Sequence, residues 1–241
     1  MILRLLAALS LFACPVAAET LRIGTESDFH PYIFIDETGA RTGFDADMMA
    51  AICEHGAFDC HWIEVPFDQI VSGVAEGRFD ISVGGIGSTP ERDVHVDWTL
   101  PYRVLSTGTS VFAGTDPDLD VTRARIGVQG GTIQENVLLD NGYTATRYPS
   151  HSAALDALFA GEIDAVFATP GYFEELVDKG ETRLFNLGAI DYPDDGPQIA
   201  VSKSSPELRL RLNRIIEDLR RSGALTLIDA RWFPQGETSD I

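Results

Sequence analysis

The sequence lacks the residue clusters on which many catalytic and metal sites depend. Its five histidines are scattered, and no group of His and Cys has the spacing of a zinc site. Neither a G-x-S-x-G elbow nor an H-E-x-x-H helix occurs. We therefore expect a protein that is not an enzyme and that holds neither a metal nor a cofactor.

Long apolar runs are absent too, since none approaches the ~20 residues of a membrane-spanning helix. The short run Leu5–Phe12 follows Arg4 and precedes Val16-Ala17-Ala18, which is the order of a secretory leader. We expect residues 1–18 to be a signal peptide, and the mature chain to be soluble and periplasmic, without membrane insertion. Lipidation of Cys14 is the alternative.

Basic residues are few, with 18 Lys and Arg against 37 Asp and Glu, for a net charge of −19. So acidic a chain repels nucleic acid and anionic membranes, which argues against both as partners. We expect a monomer whose partner is a small-molecule ligand.

Cysteine is scarce, and only Cys53 and Cys60 remain beyond the predicted leader. Two cysteines seven residues apart in an exported protein favour a disulfide over a reactive thiol pair. A loop this short predicts a stabilisation of roughly 2–3 kcal/mol.

What is present is a regular alternation of apolar strands and amphipathic helices, typical of an α/β fold. One block begins with the strand Leu21–Gly24, and a similar block begins near residue 108. Residues 74–80 and 158–164 echo each other as a helix, a glycine stop and a strand with an acidic residue. The pattern predicts two α/β lobes of related design, followed by a helix over Pro206–Arg221.

The first candidate anion site follows a strand and spans Gly84 to Arg92, with Gly85 and Gly87 among its glycines. Glycines let backbone amides approach a ligand, and Thr89 can cap a helical turn that places Arg92 beside them. The guanidinium matches a carboxylate bidentately. The alternative is a surface turn in which Arg92 pairs with a nearby acid.

The second candidate is Gly130-Gly131-Thr132, between a strand and a helix. A helix N-terminus offers unpaired N–H groups, and Thr132 adds a hydroxyl. The segment lacks the Gly-Lys-Ser/Thr ending of a phosphate-binding loop. An ordinary capped turn is the alternative.

Three further side chains follow predicted strands: Glu26, Phe29 and Phe67. The two aromatic rings are suited to walls around the apolar or planar part of a ligand, although core packing is the common role of such rings. Glu26 faces either the cleft or the surface.

Taken together, these stretches resemble the bacterial extracellular solute-binding proteins of family 3, which bind polar amino acids and related compounds. The resemblance covers almost the whole mature chain and is carried by residues 21–26, 31–32, 43–47, 77–80, 89–92, 101–102, 127–132, 160–165, 223–225 and 231–233.

The resemblance implies a type II periplasmic-binding-protein fold: two α/β sandwich lobes joined by a two-strand hinge. Lobe 1 would comprise 19–108 and 199–241, and lobe 2 would comprise 109–198. It further implies the periplasmic substrate-binding protein of an ABC importer, with an inner-membrane ABC permease as partner. Such a protein captures a small carboxylate-bearing solute, an amino acid or a derivative, by hinge closure. Several relatives place a disulfide where Cys53 and Cys60 fall.

For individual residues, the resemblance implies that Arg92 grips the ligand's α-carboxylate. The amides of Gly85 and Gly87, and Thr132, would share that grip. On closure, Gly131 and Thr132 would cover the ligand from the second lobe.

The resemblance also implies that Phe29 and Phe67 sandwich the ligand. One position departs from the pattern: amino-acid binders carry an acid for the α-ammonium where this chain has Thr169. A charge-assisted hydrogen bond of that kind contributes roughly 1.5–3 kcal/mol. Either Glu26 compensates from the opposite lobe, or the ligand has no primary ammonium.

Two other functions fit the same fold. One is an accessory or sensor binding module for an exported redox system. The other is a lyase similar to cyclohexadienyl dehydratase, in which Glu26 would act as general acid or base.

Overall fold

The computed structural model describes residues 18–233. The expected signal peptide and Cys14 lie outside the described residues, except for Ala18 at the expected cleavage point, and so does the segment after residue 233. No helix among the described residues is long and apolar enough to cross a membrane.

Thirteen strands and eight α-helices make up the described chain. The strands are β1 Glu19–Thr25, β2 Asp28–Phe29, β3 Ile33–Ile35, β4 Arg41–Thr42, β5 Phe58–Glu64, β6 Ile81–Ser82, β7 Val96–Trp98, β8 Gly108–Gly114, β9 Ile126–Gln129, β10 Ala145–Tyr148, β11 Ala165–Ala168, β12 Phe185–Tyr192 and β13 Ala200–Ser202. The helices are α1 Phe44–Gly56, α2 Ile70–Ala75, α3 Pro90–Asp93, α4 Ile133–Asp140, α5 His151–Phe159, α6 Pro170–Asp178, α7 Pro206–Arg221 and α8 Ala224–Trp232.

Two five-stranded mixed sheets form the framework, in the orders β5-β1-β6-β13-β7 and β10-β9-β11-β8-β12. In each sheet the first three strands of this order are parallel to one another. The fourth strand, β13 in one sheet and β8 in the other, is antiparallel to both of its neighbours. The predicted α/β architecture with two sheets is confirmed. The proposed lobe limits remain a prediction. A third small sheet, β2-β3-β4, was not predicted from the sequence.

Each large sheet is covered on both faces, as sheets rich in parallel strands require. In the first sheet, α1, α7 and α8 pack on one face and α2 packs on the other. Helix α7 runs over the predicted residues, and its apolar stripe of Leu212, Ile215, Ile216 and Leu219 is buried. In the second sheet, α5 and α6 cover one face and α4 contributes to the other.

The disulfide expected from the sequence joins Cys53 of α1 to Cys60 of β5. It ties the last turn of α1 to the edge strand of the first sheet. Between them the chain turns at Ala57, whose φ of 50° places a non-glycine residue in the left-handed region. The bond therefore holds a tight connection at the edge of the molecule, and neither cysteine lines the cavity described below.

Candidate functional site

The candidate residues follow the carboxyl ends of strands in both large sheets. Glu26 follows β1, Gly84 to Gly87 follow β6 after one residue, Gly130 follows β9, and Thr169 follows β11. In open α/β sheets, the crevice outside the carboxyl ends of the strands is where ligands bind. The topology therefore brings segments that are far apart in sequence to one cleft.

A cavity occupies this cleft, with about 700 Å³ of empty space that includes volume open to solvent. Residues from both sheets line it. Eight of the nine residues predicted to bind a ligand lie in its wall: Glu26, Phe29, Phe67, Gly85, Gly87, Arg92, Thr132 and Thr169. The ninth, Gly131, is not part of the lining, although its carbonyl oxygen contacts Arg92. Their ligand contacts stay a prediction.

Arg92 projects from α3, the short helix that the sequence predicted. Thr89 accepts a hydrogen bond from the Arg92 amide through its side chain, and Pro90 occupies the first helical position. Arg92 as a residue is only 9% exposed, and its guanidinium donates to the carbonyl oxygens of Gly87, at 2.8 Å, and Gly131, at 2.9 Å. The second bond crosses the cleft.

Arg92 forms no ion pair with any acid among residues 18–233. Burial lowers its pKa to about 10, and at neutral pH the group is still charged. A surface turn with a paired arginine, the alternative raised by the sequence, is therefore not what the structure contains. The charge of the neighbouring Glu91 acts on Arg92 without an ion pair. A buried cation without a paired acid favours the entry of an anion.

The Gly85 amide, which the resemblance implies contacts the ligand, is hydrogen-bonded within the protein. It donates to Oδ2 of Asp45 at 2.7 Å, while Tyr102 donates to Oδ1 of the same carboxylate at 2.8 Å. Asp45 is fully buried on α1, and burial raises its pKa to about 7. This bond occupies the amide, so Asp45 serves as a support for the loop after β6.

Thr132 caps α4, and its hydroxyl has two partners within its own segment. Oγ1 accepts from the amide of Glu135 at 3.2 Å and donates to the carbonyl oxygen of Gln129 at 2.7 Å. The Gly131 amide donates to the Glu135 side chain at 2.8 Å. The capped-turn alternative thus describes the local bonding, while the same turn also presents a carbonyl to Arg92.

Glu26 carries the opposite charge on the wall of the same cavity. Its Oε2 accepts a hydrogen bond of 2.5 Å from Nε2 of Gln129, at the end of β9. Burial, together with the nearby charges of Asp28 and Glu64, raises its pKa to about 7. Among residues 18–233 no Lys, Arg or His forms an ion pair with Glu26. The cavity wall therefore contains Arg92 and Glu26, neither of which forms an ion pair among the described residues, and a second acid, Asp194.

Aromatic rings form another part of the wall. Phe29 stacks on Tyr32, with ring centroids 5.2 Å apart, and on His151, with centroids 5.1 Å apart and planes 6° from parallel. Phe67 lies 5.6 Å from the guanidinium carbon of Arg92. The two predicted rings thus line the cavity, and the residue that Phe29 stacks on across the cleft is a histidine.

Sequence reasoning missed several lining residues: Tyr32, Gln129, Gln134, His151, Tyr192 and Asp194. Gln129 and His151 had a usable signal, because one ends a predicted strand and the other follows a serine that caps a helix. Tyr192 and Asp194 lie at the end of β12, a strand that the sequence pattern did not reveal.

Thr169 stands where the resemblance led us to expect an acid. Its hydroxyl oxygen is buried and has no hydrogen-bond partner among the described residues, although it occupies the N-cap position of α6. The cavity thus offers an unused hydroxyl at this point, and its acids, Glu26 and Asp194, lie elsewhere. Within residues 18–233, no cluster of three metal-ligating side chains occurs.

Comparison with known proteins assigns the chain to a family. The model of the bacterial extracellular solute-binding proteins, family 3, matches residues 21–235. The chain belongs to this family. The match spans both large sheets and every residue that lines the cavity.

Individual relatives of this family 3 member align with it over almost their whole length. The L-arginine-binding protein of Pseudomonas aeruginosa is 30% identical over 244 residues, which cover 94% of this chain and 93% of that protein. The ABC transporter arginine-binding protein 1 of Escherichia coli (strain K12) is 26% identical over 227 residues, covering 91% and 93%. The solved structure of a periplasmic His/Glu/Gln/Arg/opine family-binding protein from Silicibacter pomeroyi in complex with lysine superposes with a TM-score of 0.81 and 27% identity, covering 92% of this chain and 99% of that chain.

These similarities establish the two-lobed type II periplasmic-binding-protein fold for this solute-binding protein. At position 169 this family member has the neutral Thr169. The residues of its cavity wall that can carry a charge are Glu26, Arg92 and Asp194, together with His151.

Proposed function

We propose that this chain is the periplasmic substrate-binding protein of an ABC importer and that it captures an amino acid with a cationic side chain. The observation that carries the proposal is the buried Arg92, which lies in a cavity between two sheets without an acidic partner. Relatives named as arginine-binding proteins, one of them of an ABC transporter, support the same class of ligand.

The ligand's carboxylate binds Arg92 in this proposal. A guanidinium has five N–H donors, and here two of its hydrogen bonds go to backbone carbonyls, so N–H groups remain for a carboxylate. The low pKa of about 10 reflects the cost of burying the charge, which an incoming anion offsets.

The ligand's cationic end binds Glu26. That carboxylate has a single side-chain donor, Gln129, and a raised pKa, both of which indicate an acid lacking a counter-charge. A cation within ~4–6 Å stabilises the ionised form. Glu26 thus supplies an acid from the first sheet for the side-chain cation, whereas the acid missing at Thr169 would receive the α-ammonium, so both alternatives raised by the sequence stay open.

Closure of the two lobes completes the site. Several contacts join the first and second sheets across the cleft, among them Arg92 with Gly131 and Asp28 with Ser152. We propose the limits 19–108 with 199–241 and 109–198 for the two lobes, joined by the two connecting segments. The ligand shifts the open–closed equilibrium toward the closed form, because some of its contacts are made only there. An inner-membrane permease then binds the closed form.

Titration calorimetry on the refolded, ligand-stripped protein tests this function. We expect L-arginine or L-lysine to bind at least about tenfold more tightly than L-glutamine, because only the cationic ligands neutralise Glu26. Binding of neutral and cationic amino acids with equal affinity would contradict the assigned role of Glu26. Absence of binding by every amino acid tested would contradict the function itself.

One observation favours a second function, a lyase similar to cyclohexadienyl dehydratase. A carboxyl with a pKa of about 7 in a cavity has the property of a general acid. Incubation with prephenate or arogenate, followed by a search for aromatic product, distinguishes this function. If the protein only binds its ligand, no aromatic product should form.

A further inference from the structure

His151, on the side of the cavity that the second sheet forms, is a buried polar residue without a hydrogen-bond partner for its ring among residues 18–233. It is the first residue of α5 and is only 3% exposed. Neither ring nitrogen has a hydrogen-bond partner among the described residues. Buried polar side chains nearly always have a partner, so two unpartnered nitrogens on one ring call for an explanation.

The surroundings of the ring point to the cavity as the source of that partner. Phe29 covers one face of the ring in a nearly parallel stack, and Tyr172 contacts it at a centroid distance of 5.1 Å. Both ring nitrogens of His151 are buried and the residue lines the cavity, so a molecule that enters the cavity is a candidate partner for them.

A second unpartnered group lies in the same wall. The Thr169 hydroxyl oxygen is buried without a partner and also comes from the second sheet, and Glu26 lines the cavity from the first sheet. Burial lowers the pKa of His151 to about 4, so its ring is neutral at physiological pH and offers one acceptor nitrogen and one donor. The Glu26 carboxylate and the neutral imidazole of His151 together offer acceptors from both sides of the cleft, and the Thr169 hydroxyl lines the same cavity.

We propose that His151 is a specificity-determining residue that accepts a hydrogen bond from the nitrogen-bearing end of the bound amino acid. Glu26 belongs to the same acceptor set, which suits a guanidinium because its N–H donors lie in a plane and point in several directions. The inference rests on the proposed function and assigns His151 to the end of the ligand remote from Arg92.

The test compares L-arginine binding to the wild-type protein, His151→Phe and His151→Gln by calorimetry. Phenylalanine keeps a ring to stack on Phe29 but has no nitrogen, whereas the glutamine amide restores a donor and an acceptor. We expect His151→Phe to lose on the order of tenfold in affinity, and His151→Gln to stay within about threefold of wild type. His61→Phe, on the exposed edge strand, is the matched control and should bind like wild type.

The thermal midpoint of each ligand-free variant separates ligand recognition from a structural role. Our account predicts midpoints close to wild type together with the affinity loss of His151→Phe. Wild-type affinity in His151→Phe would overturn the inference, and so would equal losses in both variants with lowered midpoints. If the wild-type protein itself binds neither L-arginine nor L-lysine, the proposed function fails, and this result is distinct because it needs no substitution.

Discussion

Glu26 and Gln129 are joined by a hydrogen bond of 2.5 Å that links the strand ends of the two large sheets across the cleft. The same Gln129 amide group also donates to the carbonyl oxygen of Pro149 at 3.3 Å. One side chain thus holds an acid of the first sheet against the chain of the second. Because Glu26 has no cationic partner among the described residues, its ionisation state should respond to the ligand.

The affinity for L-arginine should depend on pH through Glu26. In the ligand-free protein the pKa of Glu26 is about 7, and a bound cation lowers it. Below about pH 7, binding must therefore expel a proton, so affinity falls toward a limit of about tenfold per pH unit as the pH decreases, and it levels off above about pH 7. Calorimetry between about pH 5.5 and about pH 8 measures this dependence.

Two variants serve as controls for the pH dependence. Glu26→Gln should remove the dependence and weaken binding, because the amide carries no charge. Glu64→Gln changes an exposed acid that pairs with Arg41 and accepts hydrogen bonds from Ser27. Because its charge raises the pKa of Glu26 and it does not line the cavity, the dependence should persist with a slightly lower midpoint. An unchanged pH profile in Glu26→Gln would contradict the assignment.

Replacement of Arg92 by methionine should separate affinity from stability. Binding of L-arginine should weaken on the order of 100-fold, because a charge-assisted pair to the carboxylate is lost. The ligand-free protein should be as stable as wild type or more stable, since a buried unpaired charge is removed. Arg125→Met, which breaks an exposed pair with Asp164 remote from the cavity, should leave affinity unchanged. A large drop in ligand-free stability for Arg92→Met would indicate a structural role instead.

The Gly85 position should tolerate no side chain. Its φ is +61°, and a Cβ there would lie 2.6 Å from Cε1 of Phe29. Gly85→Ala should therefore lower the free energy of unfolding by about 2–3 kcal/mol, from backbone strain and overpacking together. Gly77 has a φ of +72° but open space around it, so Gly77→Ala should cost only about 1 kcal/mol. Urea denaturation of both variants measures the difference, and equal losses would contradict the steric explanation.

The disulfide should contribute to stability and leave ligand binding unaffected. Closing a loop of this length lowers the conformational entropy of the unfolded chain. The free energy of unfolding should therefore be about 2–3 kcal/mol higher with the disulfide than without it. Cys53 and Cys60 lie away from the cavity, so a double serine variant should bind L-arginine with wild-type affinity. Denaturation with and without reductant, followed by calorimetry, checks both parts. A marked loss of affinity in the folded double variant would show coupling that our account does not contain.

Features set by neighbouring residues could be predicted from the sequence. Thr89 and Pro90 specify the start of α3, and the spacing of Leu212, Ile215 and Leu219 specifies the buried face of α7. Candidate residues were chosen because they lie at or shortly after predicted strand ends, and eight of the nine line one cavity.

Features that depend on distant pairs could not be predicted. Asp45 meets the Gly85 amide from a helix 40 residues away, and nothing in the local pattern of α1 indicates it. His151 is separated from Phe29 by more than a hundred residues and resembles an ordinary helix start. The small sheet β2-β3-β4 consists of strands of two or three residues, which are too short for a periodic signal.

The central claim is that Arg92 holds the ligand's carboxylate, and a crystal structure of the protein with its bound amino acid tests it most directly. We expect both carboxylate oxygens within about 3 Å of the Arg92 guanidinium, with the cationic end of the ligand next to Glu26. A ligand bound in the reverse direction, or one that leaves Arg92 without contact to its carboxylate, would contradict the account.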